Sequence, residues 1–141
     1  MKKLIIISAL LSISIFLLAC GSGGGSSATT GKIVKTGTVN NLTVTLATAD
    51  GFIKNGANDF TLSFTDSSGK TIDVGAASVN FFMPSMGTMS AMNDAATLTT
   101  SGTPGVYNGK VKVSMAGEWQ VQIAFEGGAG KGKMSLPITA Q

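Results

Sequence analysis

Four methionines lie close together near the middle of the chain, each three residues after the one before: Met83, Met86, Met89 and Met92. Each side chain ends in a thioether, which is soft and uncharged at every pH. A thioether is a poor ligand for Zn²⁺ or Ca²⁺ but suits Cu(I) or Ag(I). Two or three thioethers suffice for such an ion, and its binding should vary little with pH because no ligand loses a proton. The cluster therefore predicts a site for a soft monovalent ion.

The spacing of three residues decides whether these thioethers can share one ion. In a β-strand, residues three apart point to opposite faces and lie about 10 Å apart. Pro84 and Gly87 interrupt the segment, so we expect a loop or turn in which the side chains converge. The predicted metal ligands are Met86, Met89 and Met92.

Methionine also has structural roles, because its flexible side chain fills gaps in cores and covers adaptable binding surfaces. Met83 continues the alternation of Val79 and Phe81, so we assign it to the core in preference to the metal site. For the other three methionines a second interpretation stays open. Together with Phe82 they would form an apolar surface that binds another protein without any metal.

The composition excludes most kinds of catalytic site. The 141 residues include no His, no Arg and a single Cys. Ser-His-Asp catalysis, Cys-His catalysis and His-containing zinc sites are therefore not available to this chain. The lack of imidazole also favours Cu(I) over Cu(II) as the copper ion. Four of the five aspartates lie beside Gly, Asn or Ser, which is typical of turns, and we predict that the protein is not an enzyme.

Residues 1–19 have the pattern of a lipoprotein signal peptide. Two lysines, Lys2 and Lys3, precede an apolar run that is shorter than the roughly 20 residues of a membrane-spanning helix. The run ends in Leu-Leu-Ala-Cys at residues 17–20, which resembles the lipobox of bacterial lipoproteins. This resemblance implies cleavage before Cys20 and lipidation of Cys20, whose acyl chains anchor the protein in a membrane.

Residues 20–31 are the lipidated Cys and a Gly/Ser-rich tether, and residues 32–141 are the predicted domain. Cleavage removes two lysines and lowers the net charge from +3 to about +1, so we expect no nucleic-acid partner. By resemblance to lipoproteins, the domain faces the periplasm or the cell exterior. Gly21 replaces the Asp that retains many lipoproteins in the inner membrane, which favours the outer membrane in a Gram-negative host.

Beyond residue 32, apolar residues recur with a period of two, as in β-strands with one buried face. Strands are predicted around residues 42–46, 60–64, 77–83, 97–99, 111–115, 119–125 and 134–138. The pattern predicts an all-β fold, an immunoglobulin-like two-sheet β-sandwich of about seven strands, with a small barrel as the alternative. Trp119 shares the parity of the apolar residues that follow it, so we place it in the core, and Tyr107 is interpreted as a packing residue.

Three short blocks resemble the YtkA-like domain, which is related to FixH-family proteins. They are Met-Pro-Ser-Met-Gly-Thr-Met at residues 83–89, Thr-Pro-Gly-Val-Tyr-Asn-Gly at 103–109 and Ser-Met-Ala-Gly-Glu-Trp-Gln-Val at 114–121. The resemblance extends from about Val39 to Gln141. It implies an immunoglobulin-like sandwich in the cell envelope with a role in handling copper or other heavy metals.

Two functions therefore follow from the sequence. In the first, a lipid-anchored envelope protein holds Cu(I) or Ag(I) through the methionine cluster and passes it to a metal-efflux or oxidase-assembly protein. In the second, the same surface is a protein–protein interaction module of an envelope or efflux assembly, without a metal.

Overall fold

The computed structural model describes residues 29–141, which form nine strands. The predicted signal peptide, Cys20 and the tether as far as residue 28 lie outside the described residues. The strands are β1 (Lys32–Val39), β2 (Leu42–Thr48), β3 (Gly56–Thr65), β4 (Ala76–Met83), β5 (Met92–Ala95), β6 (Thr97–Thr100), β7 (Val106–Val113), β8 (Gly117–Gly127) and β9 (Gly130–Ala140). In residues 29–141 there is no helix that is long and apolar enough to cross a bilayer.

The strands form two antiparallel sheets, in the orders β1-β2-β3-β7-β6 and β5-β4-β8-β9. The strands β2, β3, β7 and β6 have the order of strands A, B, E and D of an immunoglobulin domain, and β4, β8 and β9 have the order of C, F and G. The predicted all-β, two-sheet sandwich is therefore confirmed. A barrel would need one closed sheet, whereas these strands form two separate sheets.

Two strands were not predicted from the alternation of apolar residues. In β1 the register with β2 shifts between Ile33 and Lys35, and this bulge reverses the in–out parity along the strand. Ile33 is consequently 62% exposed. The other missed strand, β5, has four residues, of which only Met92 and Ala95 are apolar. The pattern was too short in β5 and too irregular in β1 to be detected.

The β1–β2 turn shows a sequence signal of a different kind. Asn40 and Asn41 have φ angles of 49° and 64°. A two-residue type I′ turn needs positive φ at both central positions, and Asn tolerates this better than most residues. The Asn-Asn pair therefore explains why the chain reverses here and adds β1 to the edge of the sheet.

Aromatic side chains join the two sheets across the core. The rings of Phe60 and Phe81 pack edge to face with centroids 6.0 Å apart, and those of Phe64 and Phe125 pack at 5.3 Å. Such pairs contribute about 0.5–1.5 kcal/mol each beyond the area that they bury. Trp119 is 1% exposed, so its expected place in the core is observed.

The edges of the two sheets meet along β1 and β9. The side chains of Met134 and Leu136 of β9 occupy the space that a Cβ at Gly37 of β1 would need. Near the C-terminus, the backbone N–H of Gln141 donates to the carbonyl oxygen of Ile53 at 2.9 Å. The edge strand of the first sheet therefore packs against the edge strand of the second.

Gly109 provides a test of the core. It is paired with Phe60 across β3 and β7, and the Phe60 ring occupies the space that a Cβ at Gly109 would need. We expect Gly109→Ala to lower the free energy of unfolding by about 1–3 kcal/mol, because the ring must move within a packed core. Urea unfolding followed by tryptophan fluorescence measures the change. Gly128→Ala is the matched control, since it adds the same methyl group in open space and should cost under about 0.5 kcal/mol. Equal stabilities of the two variants would contradict this description of the core.

Candidate functional site

The four clustered methionines lie on one hairpin, residues 83–92, which we call the methionine hairpin. Met83 at the end of β4 is paired directly with Met92 at the start of β5. Further out, the N–H of Met86 donates to the carbonyl oxygen of Met89 at 3.1 Å, and the N–H of Met89 donates to that of Met86 at 2.9 Å. The cluster thus consists of two cross-strand pairs, an inner pair (Met83 and Met92) and a tip pair (Met86 and Met89).

A tight turn creates the tip pair. Gly87 and Thr88 form a two-residue loop, and Gly87 has a φ of 56°. Glycine with positive φ at the first central position is typical of a type II′ hairpin turn. Residues directly opposite in an antiparallel pair project from the same face, with Cβ atoms about 4.5–5.5 Å apart. The methionines therefore converge across the hairpin, not along one strand.

The two pairs have different surroundings. Met83 is 2% exposed in the core, and Met92 is half-buried and packs against the same core. At the tip, Met86 is 53% exposed and Met89 is 38% exposed. Of the predicted ligands, the structure pairs Met86 with Met89 and pairs Met92 with a core residue. Sequence reasoning missed this pairing, although a Gly at the first position of a two-residue loop between equally spaced methionines is a signal for it.

A groove of about 500 Å³ lies beside the hairpin. Pro84 and Met86 line it on the side of the hairpin, Glu118 and Trp119 line it at the start of β8, and Lys35 lines it from β1. The indole N–H of Trp119 donates to the carbonyl oxygen of Met115 at 3.0 Å, which fixes the ring. Met86 of the tip pair therefore lines the same groove as the only tryptophan of the chain, whose fluorescence can report on an ion bound there.

Phe82, the residue predicted for a partner surface, lies on the other face of β4 from Met83. It is half-buried and is paired with Asn93 of β5 and Gln120 of β8. Around it this outer face is polar, since the side-chain amide of Asn80 donates to the side-chain oxygens of Asn93 and Gln122 at 3.0 and 3.2 Å.

Two aspartates near turns or strand ends, Asp66 and Asp94, hold backbone groups. Asp66 accepts hydrogen bonds from the hydroxyl and N–H of Ser68 and from the N–H of Lys70. The Ser68 hydroxyl is the main cause that holds the pKa of the Asp66 carboxyl below its usual value. Asp94 accepts from the N–H and the hydroxyl of Ser114, at 2.8 Å each. Within residues 29–141, no three acidic, His or Cys side chains come together as a metal site.

Comparison with known protein families finds a match, which covers most of the fold. The family model for YtkA-like domains matches residues 36–124. The chain belongs to the YtkA-like family. The matched region begins in β1 and ends in β8, so it contains the whole methionine hairpin and all three sequence blocks that resemble this domain. In this YtkA-like protein, β9 lies beyond the matched region. No curated protein matches the chain.

The burial of the methionines predicts which of them the fold needs. Met83→Ala should lower the free energy of unfolding by about 2–5 kcal/mol, because it leaves a cavity in the core. Met86→Ala and Met89→Ala make the same chemical change on the surface and should each cost under about 0.5 kcal/mol. Urea unfolding of the three variants tests this order. A large loss of stability for Met86→Ala would show that the tip pair is part of the core packing.

Proposed function

We propose that this YtkA-like protein is a lipid-anchored binding protein of the cell envelope that holds Cu(I) or Ag(I) through its methionine hairpin. The ligands are Met86 and Met89, with Met92 as the third thioether. The observation that carries the proposal is the tip pair, which presents two exposed thioethers from one face of a tight turn.

The geometry of the tip pair suits a soft ion. Two Cβ atoms about 5 Å apart, each with a flexible thioether chain, allow both sulfurs to reach one ion between them. The backbone hydrogen bonds between Met86 and Met89 hold the turn in place before an ion arrives. Binding then orders only the side chains, so its entropic cost is small.

The side chains of the methionine hairpin disfavour hard cations. The methionine hairpin contains no charged side chain and no His or Cys, and its other polar side chains are Ser and Thr hydroxyls. Zn²⁺ binds Cys, His or carboxylate ligands, and Ca²⁺ takes six or more oxygen ligands. A neutral hairpin with paired thioethers therefore favours Cu(I) or Ag(I) over both.

The remaining parts of the proposal come from the sequence. The motif at residues 17–20 supports signal-peptide cleavage and lipidation of Cys20, and the Gly/Ser-rich segment that follows would tether the domain near a membrane. The site would then face the periplasm, on the outer membrane in a Gram-negative host. There it would pass its ion to a metal-efflux or oxidase-assembly protein, without catalysing a reaction.

A competition titration tests the ion site. The full chain in detergent, with Cys20→Ser to remove the only thiol, is titrated anaerobically with Cu(I) against a chromophoric chelator. We expect the parent to compete, and the triple Met86→Leu, Met89→Leu, Met92→Leu variant to lose at least ~10-fold in affinity, because Leu has the volume but no donor sulfur. Quenching of Trp119 fluorescence by Ag(I), in the parent only, gives an independent readout of the groove.

A double Met115→Leu, Met134→Leu variant is the matched control, since both residues are half-buried at the core and far in sequence from the hairpin. It should bind like the parent. If the triple variant competes as well as the parent, the hairpin does not hold the ion.

The exposure of the tip pair also favours the second function, a metal-free surface for another envelope protein. Met86 and Met89 are two of the three exposed large apolar side chains among residues 29–141. A protein-binding surface would tolerate Leu at these positions and would fail with Ser, whereas an ion site fails with either. Failure of both parent and triple variant to compete for Cu(I) would favour this second function.

The anchor has its own test. In a bacterial host that lipidates proteins, the full chain should take up radiolabelled palmitate, and Cys20→Ser should abolish the label because the acyl chains depend on that residue. Ser27→Ala, in the same segment, is the matched control and should keep the label. Equal labelling of parent and Cys20→Ser would refute lipidation at this residue.

A further inference from the structure

The methionines of the described domain differ sharply in their access to solvent. Met86 and Met89 are 53% and 38% exposed, and Met83 is 2% exposed. The other three, Met92, Met115 and Met134, are half-buried and pack against the core. A reagent in solution therefore reaches both sulfurs of the tip pair before those of the other four methionines in residues 29–141.

We propose that Met86 and Met89 are a sulfoxidation site for peroxides, and that oxidation of this pair switches off binding of the soft ion. The second half of the statement rests on the proposed function, and the first half does not. The site thus has two states, a reduced state that holds the ion and an oxidised state that does not.

The chemical step needs only a peroxide as co-reactant. A lone pair of the thioether sulfur attacks one oxygen of hydrogen peroxide, the O–O bond breaks and an S–O bond forms. The sulfur is oxidised by two electrons, and the second oxygen leaves as water after proton transfer. The product, methionine sulfoxide, is the form that methionine sulfoxide reductases return to the thioether.

The fold would remain stable after oxidation of the tip pair but would be destabilised by oxidation of Met83. The tip turn is held by backbone hydrogen bonds between Met86 and Met89, which a sulfoxide on either side chain leaves in place. The new oxygen projects into water. At Met83 the same oxygen would be buried among apolar side chains, and burying a polar group without a hydrogen-bond partner destabilises the fold.

Competing reactive groups are few in this part of the chain. Residues 29–141 contain no Cys, so no thiol there can react first. Trp119 is 1% exposed, and its indole N–H is hydrogen-bonded. The exposed thioethers of the tip pair are therefore the most accessible nucleophilic sulfurs of the domain.

Ion binding and oxidation compete because both draw on the lone pairs of the thioether sulfur. A sulfur that donates to Cu(I) or Ag(I) is a poorer nucleophile toward a peroxide, and a sulfoxide is a weak donor to a soft ion. The bound ion should accordingly protect its ligands, Met86, Met89 and Met92, from oxidation and leave Met115 and Met134 unprotected.

The first test is peptide mapping after limited oxidation. The full chain with Cys20→Ser is treated with hydrogen peroxide, and sulfoxide formation is followed at each methionine by mass spectrometry. We expect Met86 and Met89 to oxidise at least ~5-fold faster than Met83, Met92, Met115 and Met134. In urea the rates should become equal, since unfolding removes the differences in exposure. Equal rates in the folded protein would overturn the sulfoxidation site.

The second test adds Ag(I) at neutral pH, because Ag(I) binds soft ligands and, unlike Cu(I), does not start Fenton chemistry with the peroxide. Saturating Ag(I) should slow oxidation at the tip pair at least ~10-fold and leave Met115 and Met134 unchanged. Protein oxidised at the tip pair should lose its competition for Cu(I), and sulfoxide reductases should restore it.

The outcomes separate the two proposals. If the unoxidised parent binds Cu(I) and the oxidised protein binds it equally well, the switch is overturned and the proposed function stands. If the tip pair oxidises selectively but the parent fails to compete for Cu(I), the proposed function fails, and the sulfoxidation site stands without its role as a switch.

Discussion

The contact of Phe81 with Phe60 fixes the position of the methionine hairpin. Phe81 is fully buried, and its ring meets the edge of Phe60 from the opposite sheet. Phe60 can lie there because Gly109, its neighbour on β7, has no side chain. Through this contact β4, a strand of the second sheet, also packs against the first sheet two residues before it ends at Met83. The methionine hairpin therefore begins at a rigidly held position.

The alternation of β4 then assigns the residues that follow Phe81. Because successive side chains point to opposite faces, Phe82 lies outside and Met83 lies inside. The pairing of Met83 with Met92 continues the ladder into β5, and the turn at Gly87 pairs Met86 with Met89 beyond it. Core packing and turn geometry together, and not the three-residue spacing alone, decide which thioethers meet.

The fold was largely predictable from the sequence because a half-buried strand leaves a period of two. That period gave the two-sheet sandwich and the buried positions of β2, β3, β4, β7 and β8. It could not give β1, where a bulge reverses the parity after Ile33, or β5, which is too short to show a period. The methionine cluster was visible in the sequence. Its division into an inner pair and a tip pair depends on the cross-strand register, which becomes clear only when the Gly87 turn is recognised.

Under the proposed function, this division separates stability from binding within one hairpin. Met83 of the inner pair is 2% exposed, so its side chain cannot reorganise around an ion without disturbing packed neighbours, whereas Met92 is only half-buried. The tip pair contributes little to the core, so its thioethers could bind and release the proposed ion, or be oxidised, while the turn stays closed by backbone hydrogen bonds. A site whose main ligands are two exposed, neutral thioethers would exchange its ion readily, because nothing in the fold must open first. That property suits a protein that passes an ion on more than one that stores it.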